Sequence, residues 1–264
     1  MKVFTSLYRN RELLTRLVRR EVASRYRGSA LGFGWSTLQP LIMLAVYTFV
    51  FSSVFKNRWP GAEDTPGIYT LNLFCGLIIF NIFAEVLGSA PRLIEANKNL
   101  VKKVVFPLEL LSASSVGTAV YLSLNSLLIL VGAVVVVKKG AGLEMLFAPL
   151  IILIFGLMCL GLSWMVSALA VYVKDIEQAI QPVISIFMFM SAVFYPIEMI
   201  PQGIRWIMKI NPVAISISEF RRVMVDGRYP SLAYILLGGL TAILWSALCF
   251  NFFNRVRRGF ADVI

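Results

Sequence analysis

Twenty-three consecutive residues, Phe33–Phe55, contain no Asp, Glu, Lys or Arg. A helix needs about 20 mostly apolar residues to cross a ~30 Å hydrocarbon core, so this run is long enough to span a membrane. The pattern recurs. Leu110–Val137 and Met145–Val173 are uncharged throughout, as are Ala179–Ile197 and Ser231–Asn254. Ile68–Ala84 is shorter but reaches Gly88 if Glu85 lies near its end. Lipid cannot hydrogen-bond an open backbone, so these runs predict six transmembrane helices. Hydrophobic residues make up 58% of the 264 and charged residues 15%, against about a quarter charged in soluble domains.

Six spans put both termini on one side. With the termini inside, 16 of the 25 Lys and Arg fall in inner segments. Lys and Arg concentrate in cytoplasmic loops, so cytoplasmic termini are expected. The +11 net charge then reports topology and anionic headgroups rather than nucleic acid. A cleaved signal peptide is not expected, because the first 33 residues hold eight basic ones and no apolar core of the required length.

Residues 7–27 pattern as an amphipathic helix. Leu7, Leu13, Leu14, Leu17, Val18, Val22 and Tyr26 share one face and most of the arginines the other. Such a helix is expected in the membrane interface, with its apolar face in lipid. Arg25 and Tyr26 end it, Gly28 and Ser29 allow a sharp turn, and Trp35 provides an interfacial anchor. Gly28, Gly32 and Gly34 form G-x-x-x-G-x-G, which is neither a dinucleotide fingerprint nor a phosphate loop.

Glu198–Pro230 is broken by Pro201, Gly203, Asn211-Pro212 and Gly227 into two short amphipathic pieces. Neither can span the bilayer. A pair of half-helices dipping into the outer leaflet fits.

The chain holds no histidine, and its acids are scattered over loops. That leaves no convergent nucleophile, base or metal cluster for an embedded transferase. Cys75, Cys159 and Cys249 lie inside apolar runs and show no C-x-x-C spacing, so free buried thiols are expected.

Specific motifs appear along this frame. Arg25, Tyr26, Ser29, Leu31, Gly32, Trp35 and Pro40 fit R-Y-x-x-S-x-L-G-x-x-W followed by a proline-containing first span. Further along stand NKNLVKKVVFP (97–107), VYVKDIEQ (171–178) and NPVAISISEFRR (211–222). Together they resemble ABC-2-type permeases, especially those exporting O-antigens, capsules and teichoic acids. Lys174 departs slightly, since the family often has Arg before that Asp. The resemblance implies a homodimer of all-α, six-span subunits bound to two cytoplasmic ATPase subunits. It also implies a bacterial inner-membrane exporter of a glycan linked to undecaprenyl diphosphate. No G-x-x-x-x-G-K-[ST] occurs, so this chain is expected not to be an enzyme. It carries no cofactor of its own, and ATP and Mg belong to the partner ATPase. An ABC-2 exporter of a drug or lipid is the alternative.

The whole chain, 1–264, reads as one membrane domain. It comprises an interface helix (1–32), spans one to five (33–197), a re-entrant periplasmic gate (198–230), span six (231–254) and a cytoplasmic tail (255–264). The basic loop Arg92–Pro107 satisfies the positive-inside rule by itself. The resemblance adds a coupling helix seated on the ATPase, carried by Glu95, Asn97, Lys98, Lys102 and Lys103, with Lys174 and Asp175 as a smaller contact. It makes Asn211, Pro212, Glu219, Arg221 and Arg222 a periplasmic gate, against a plain ion pair at the membrane edge. Tyr47, Phe51 and Phe55 recur every four residues, and Phe187 and Phe194 lie seven apart. Each set forms one stripe, on which apolar faces of sugar rings could rest in a substrate channel. Lipid contact or simple packing would use the same residues. Glu85 and Glu109 flank the basic loop, with Arg25 or Arg27 as possible partners. The stripes Ser115/Ala119/Ser123 and Cys159/Ser163/Ser167 predict close helix packing.

Overall fold

A computed structural model describes residues 2–50, 67–101 and 106–263. The described chain is helical, with α1 Lys2–Arg9, α2 Arg11–Arg25, α3 Trp35–Tyr47, α4 Ile68–Ser89, α5 Lys98–Val101 and α6 Glu109–Lys138. There follow α7 Ala148–Tyr172, α8 Asp175–Met190, α9 Arg205–Ile210, α10 Pro212–Met224, α11 Gly239–Val256 and α12 Phe260–Val263.

The core forms around α4. This helix is apolar around most of its circumference, and a helix of that kind is largely buried. Leu73, Cys75, Ile79 and Val86 are completely enclosed. The first turns of α6 and much of α7 close over it, with Trp164, Phe155 and Leu110 fully buried. Small residues set the spacing, as their pattern predicts. Ser115 meets Ser89 at 2.9 Å and Ser112 meets Ser167 at 3.4 Å. A Cβ on Gly161 would lie 2.6 Å from the Trp245 ring, so α7 and α11 are in direct contact there. All three cysteines are buried free thiols.

Five helical stretches are long and apolar enough to cross a membrane: Gly32–Val50, Ile68–Arg92, Glu109–Lys138, Leu143–Tyr172 and Tyr234–Gly259. They match spans one to four and six of the sequence reading. The fifth span differs. Expected over Ala179–Ile197, the helix occupies Asp175–Met190. It starts earlier because Asp175 and Glu177 fill its first turn, where the helix dipole favours acids. It stops earlier because Ala192 takes φ +53°, the left-handed region that does not continue a helix. At 16 residues α8 is about 24 Å long. It nevertheless runs antiparallel along α4. Glu177 pairs with Arg92, Phe187 lies 5.1 Å from Phe83 between ring centres, and Tyr69 donates to the Phe194 carbonyl at 2.8 Å.

The N-terminal segment corrects the sequence reading. It is two helices broken at Asn10 rather than one, and its apolar face is not left to lipid. Leu17 and Val22 are buried, and Val18 approaches Gly117 of α6 so closely that a Cβ there would sit 2.8 Å away. The turn into α3 uses Gly28 at φ +85°, as anticipated, and also Gly32 at +50°.

Candidate functional site

The segment after α8 folds into a short hairpin of α9 and α10. Its tip is the Asn-Pro pair. Asn211 Oδ1 accepts from the Val213 amide at 2.9 Å, capping α10, and Pro212 opens the helix where a missing N–H costs nothing. The same side chain reaches back. Asn211 Nδ2 donates to the Met190 carbonyl at 2.9 Å and to Ser191 Oγ at 3.0 Å. One buried side chain thus starts α10 and satisfies a carbonyl at the end of α8.

Arg221 completes this clasp. It is buried, and a Cβ on Gly76 of α4 would lie 2.9 Å from its Nη2. Nη1 donates to the Ala192 carbonyl at 2.8 Å and Nη2 to that of Val193 at 2.6 Å. Nε donates to the Asn72 carbonyl on α4 at 2.9 Å. The carbonyls beyond a helix end carry partial negative charge, which a guanidinium complements. Arg221 therefore binds the turn after α8 to both α4 and α10. Lys138 at the end of α6 donates to the Val225 carbonyl, fixing the other end of the hairpin.

The two neighbouring charges have separate tasks. Glu219 makes no ion pair among the described residues, contrary to the edge-pair reading. It accepts from the Ser231 amide at 2.8 Å and the Ser231 hydroxyl at 2.6 Å, holding the start of the last long helix. Arg222 Nε donates to the Tyr229 carbonyl at 2.9 Å.

The opposite end of the bundle carries a different arrangement. Ala90, Pro91 and Ile94 are buried and anchor a string of short turns, a 3-10 turn at Glu95–Asn97 followed by α5. Glu95 and Lys98 point outward, and Asn97 donates to the Leu93 carbonyl at 2.9 Å. Lys102 and Lys103 lie outside the described residues. Arg92 pairs with Glu177 at 2.5 Å, which joins this string to exposed Lys174 and Asp175. The two loops singled out separately in the sequence form one rim.

Two further ion pairs frame it. Glu85 pairs with Arg25, which decides between the two candidates. Glu109 takes neither. Its carboxylate accepts from Arg257 at 2.9 Å and from Ser6 at 2.8 Å, while its carbonyl accepts from Trp164 at 3.0 Å. The N-terminal helix and the segment after α11 thus meet at Glu109, just past the basic loop. Ser6 and Arg257 were not singled out in the sequence, and Glu177 stood there only within VYVKDIEQ (171–178), because only the fold brings positions so far apart together.

The aromatic stripes go to different places. Phe51 and Phe55 lie outside the described residues. Tyr47 lines a cavity of about 400 Å³ between α3, α4 and α6. Phe187 lines a second, apolar cavity of about 430 Å³ with Phe83, Phe155, Trp245 and Pro212. Phe194 lies 6.0 Å from Phe189. Tyr47 and Phe187 thus line different cavities within one subunit. No group of acids and cysteines gathers into a metal site among the described residues.

Residues 12–225 match the family model described as ABC-2 type transporter. The chain is 26% identical over 254 residues to the O-antigen export system permease protein RfbA of Klebsiella pneumoniae, covering 96% of this chain and 95% of that one. It is 26% identical over 268 residues to the protein of that name from Myxococcus xanthus, with both chains fully covered. Similarity to the polysialic acid transport protein KpsM of Escherichia coli is 24% over 214 residues, 79% of each chain.

Proposed function

Because this chain belongs to the ABC-2 type transporter family, we propose that it is the permease of an ATP-driven exporter of a lipid-linked, O-antigen-like polysaccharide. Transport runs from cytoplasm to periplasm across the bacterial inner membrane. The end-to-end similarity to O-antigen export permeases carries this reading.

In this reading α8 with its following turn is the fifth of six crossings, supported by its path along α4. Both termini are cytoplasmic, α2 lies at the inner interface, and the α9–α10 hairpin dips into the outer leaflet. Two copies form the pathway. The faces of α3 and α8 are the least covered in the subunit, since α3 buries only Ser36 and α8 only Ile180 and Ile184. Those faces flank α4 and are available to a second copy and to substrate, with Tyr47, Phe51, Phe55, Phe187 and Phe194 supplying aromatic platforms for undecaprenyl-diphosphate-linked glycan.

Two ATPase subunits bind ATP and Mg and engage the rim of Glu95, Asn97, Lys98, Lys102, Lys103, Lys174 and Asp175. A short helix on a buried anchor transmits a rigid displacement, because packed elements shift as units. The rim passes motion into α8 through Arg92–Glu177. Helix α8 passes it to the hairpin through Asn211 and Arg221.

The test is deletion and complementation in a strain producing surface glycan. Loss of the gene should abolish surface glycan and leave carrier-linked polymer inside, and the intact gene should restore it. Undiminished surface glycan in the deletion strain would refute the reading.

A further inference from the structure

The cavity between α3, α4 and α6 holds more polarity than a helix junction in a membrane requires. Its wall includes Ser36, Ser123 and Ser126, the aromatic ring of Tyr47, and the carboxamides of Gln39 and Asn81. The three serines are accounted for. Ser36 donates to the Phe33 carbonyl at 2.7 Å, Ser123 to that of Val120 at 2.7 Å and Ser126 to that of Leu122 at 3.4 Å. Serine hydroxyls are commonly absorbed this way by the preceding helical turn.

Gln39 and Asn81 are not absorbed. Neither makes a hydrogen bond among the described residues, and both are exposed. Asn81 is the exposed residue of an α4 that is otherwise buried or half-buried along its length. It lies one helical turn, about 6 Å, from Glu85, whose ion pair with Arg25 forms part of the same wall. Each carboxamide offers two donors and an acceptor with two lone pairs. Left bare in hydrocarbon, such a group costs several kcal/mol. By contrast Asn125, nearby on α6, spends its amide on Ser36 and Thr37 at 3.1 and 3.0 Å.

We propose that this cavity is a hydrated sugar subsite, in which Gln39 and Asn81 exchange hydrogen bonds with the hydroxyls of a passing glycan beside the Tyr47 ring. The inference rests on the export reading above. A planar amide can give and take one hydrogen bond with adjacent hydroxyls, the pattern that a sugar ring presents. A cavity of about 400 Å³ is within the range of small-molecule sites. Neutral amides suit a moving polymer, because each bond to a hydroxyl replaces one to water at little net gain. The site therefore guides without trapping. In that export reading the Arg25–Glu85 pair marks its cytoplasmic side, so a glycan would meet it early in its passage.

The test combines access with transport, in native membranes containing the assembled transporter. The native cysteines are buried, so the wild-type protein serves as the blank. Gln39→Cys and Asn81→Cys should react with a small charged methanethiosulfonate reagent applied to inverted vesicles. The reaction should slow when the cells make glycan and not when glycan synthesis is deleted. The double variant Gln39→Leu/Asn81→Leu should reach the membrane in normal amount and bind its ATPase. It should lower surface-glycan export about tenfold, the effect expected from two or so weak hydrogen bonds, and Asn81→Gln should recover most of it. Equal labelling with and without glycan, or normal export in the double leucine variant, would overturn the subsite. So would spontaneous disulfide-linked dimers of Asn81→Cys, which would place Asn81 against a second copy. Failure of the wild type to export any glycan would instead overturn the transport reading.

Discussion

The two ends of α4 are held in opposite ways. At the Asn72 end a buried arginine is satisfied by main-chain carbonyls from two elements, and a buried asparagine reinforces it. At the Ser89 end the ties are ion pairs, of which Arg25–Glu85 and Arg92–Glu177 keep solvent on both partners, while in Arg257–Glu109 the arginine is half-exposed and the carboxylate buried. The difference is energetic. Removing the donor to a buried carbonyl costs about 1–3 kcal/mol each, whereas a solvent-exposed ion pair contributes about 0–1 kcal/mol. The first end resists rearrangement and the second can exchange partners at small cost. In the proposed exporter an ATPase-facing end would need the latter, and a hairpin moving together with α8 the former.

Substitutions should rank accordingly. The largest loss is expected from Arg221→Gln, which strands carbonyls of Asn72, Ala192 and Val193 and should cost several kcal/mol. A sharp drop in melting temperature and in purified yield would show it. Arg221→Lys should recover only part, because an ammonium lacks the planar fork. A near-native melt for Arg221→Gln would break the comparison at its strongest point.

Asn211→Ala comes next. It removes the α10 cap, worth about 1 kcal/mol, and unpairs the buried Met190 carbonyl, for a total of about 2–3 kcal/mol. Asn211→Asp keeps the acceptor and loses the donor, so its melt should fall between the two. At the other end, Arg257→Gln leaves the Glu109 carboxylate with Ser6 as its remaining side-chain partner. Arg257 is 40% exposed but Glu109 only 8%, so the expected cost is about 1–2 kcal/mol, above that of a surface pair and below that of Arg221→Gln. A loss matching Arg221→Gln would erase the distinction.

Arg92→Ala should hardly change stability, by less than about 1 kcal/mol. It should instead loosen coupling, so that the assembled complex hydrolyses ATP with less glycan exported per ATP. Equal coupling in the variant and the wild type would remove Arg92–Glu177 from the transmission path.

The smallest effect concerns α2. Burial against α6 pushes the Glu21 carboxyl above its ordinary value of 4.5, opposed by Ser114 and Arg25. The docked helix thus holds this proton more tightly than the free chain does. Its contribution is complete below about pH 4.5 and declines as pH rises through the raised value. Glu21→Gln should make the melting temperature less dependent on pH across that range, as followed by unfolding in detergent. An unchanged pH profile would place Glu21 in solvent.

Much of the architecture was legible because the bilayer imposes one rule. Uncharged runs of spanning length are helices, and Leu110–Val137 and Met145–Val173 agree with α6 and α7 to within a few residues. The rule misplaced the fifth span, because it set the boundary at the last charge instead of where the backbone turns. Asp175 and Glu177 belong inside α8 as acids in its first turn. Amphipathicity located the N-terminal helices but not what covers them. An apolar face reads identically whether lipid or α6 lies against it. At the candidate site, Asn211-Pro212 was visible as a break between two short amphipathic pieces, and its role as the cap of α10 was not. The three carbonyls held by Arg221 were not, since main-chain acceptors leave no mark in side-chain sequence. Gln39 and Asn81 stand in the sequence as amides inside apolar runs, but so do Asn72 and Asn125, which are bonded.

Amide hydrogen exchange in the assembled transporter, nucleotide-free against ATP-trapped, tests the contrast between the two ends directly. Exchange should change at Glu95–Val101 and at the start of α8, and remain unchanged through Asn211–Met224. Exchange that changes through α10 while the inner rim stays constant would contradict the account.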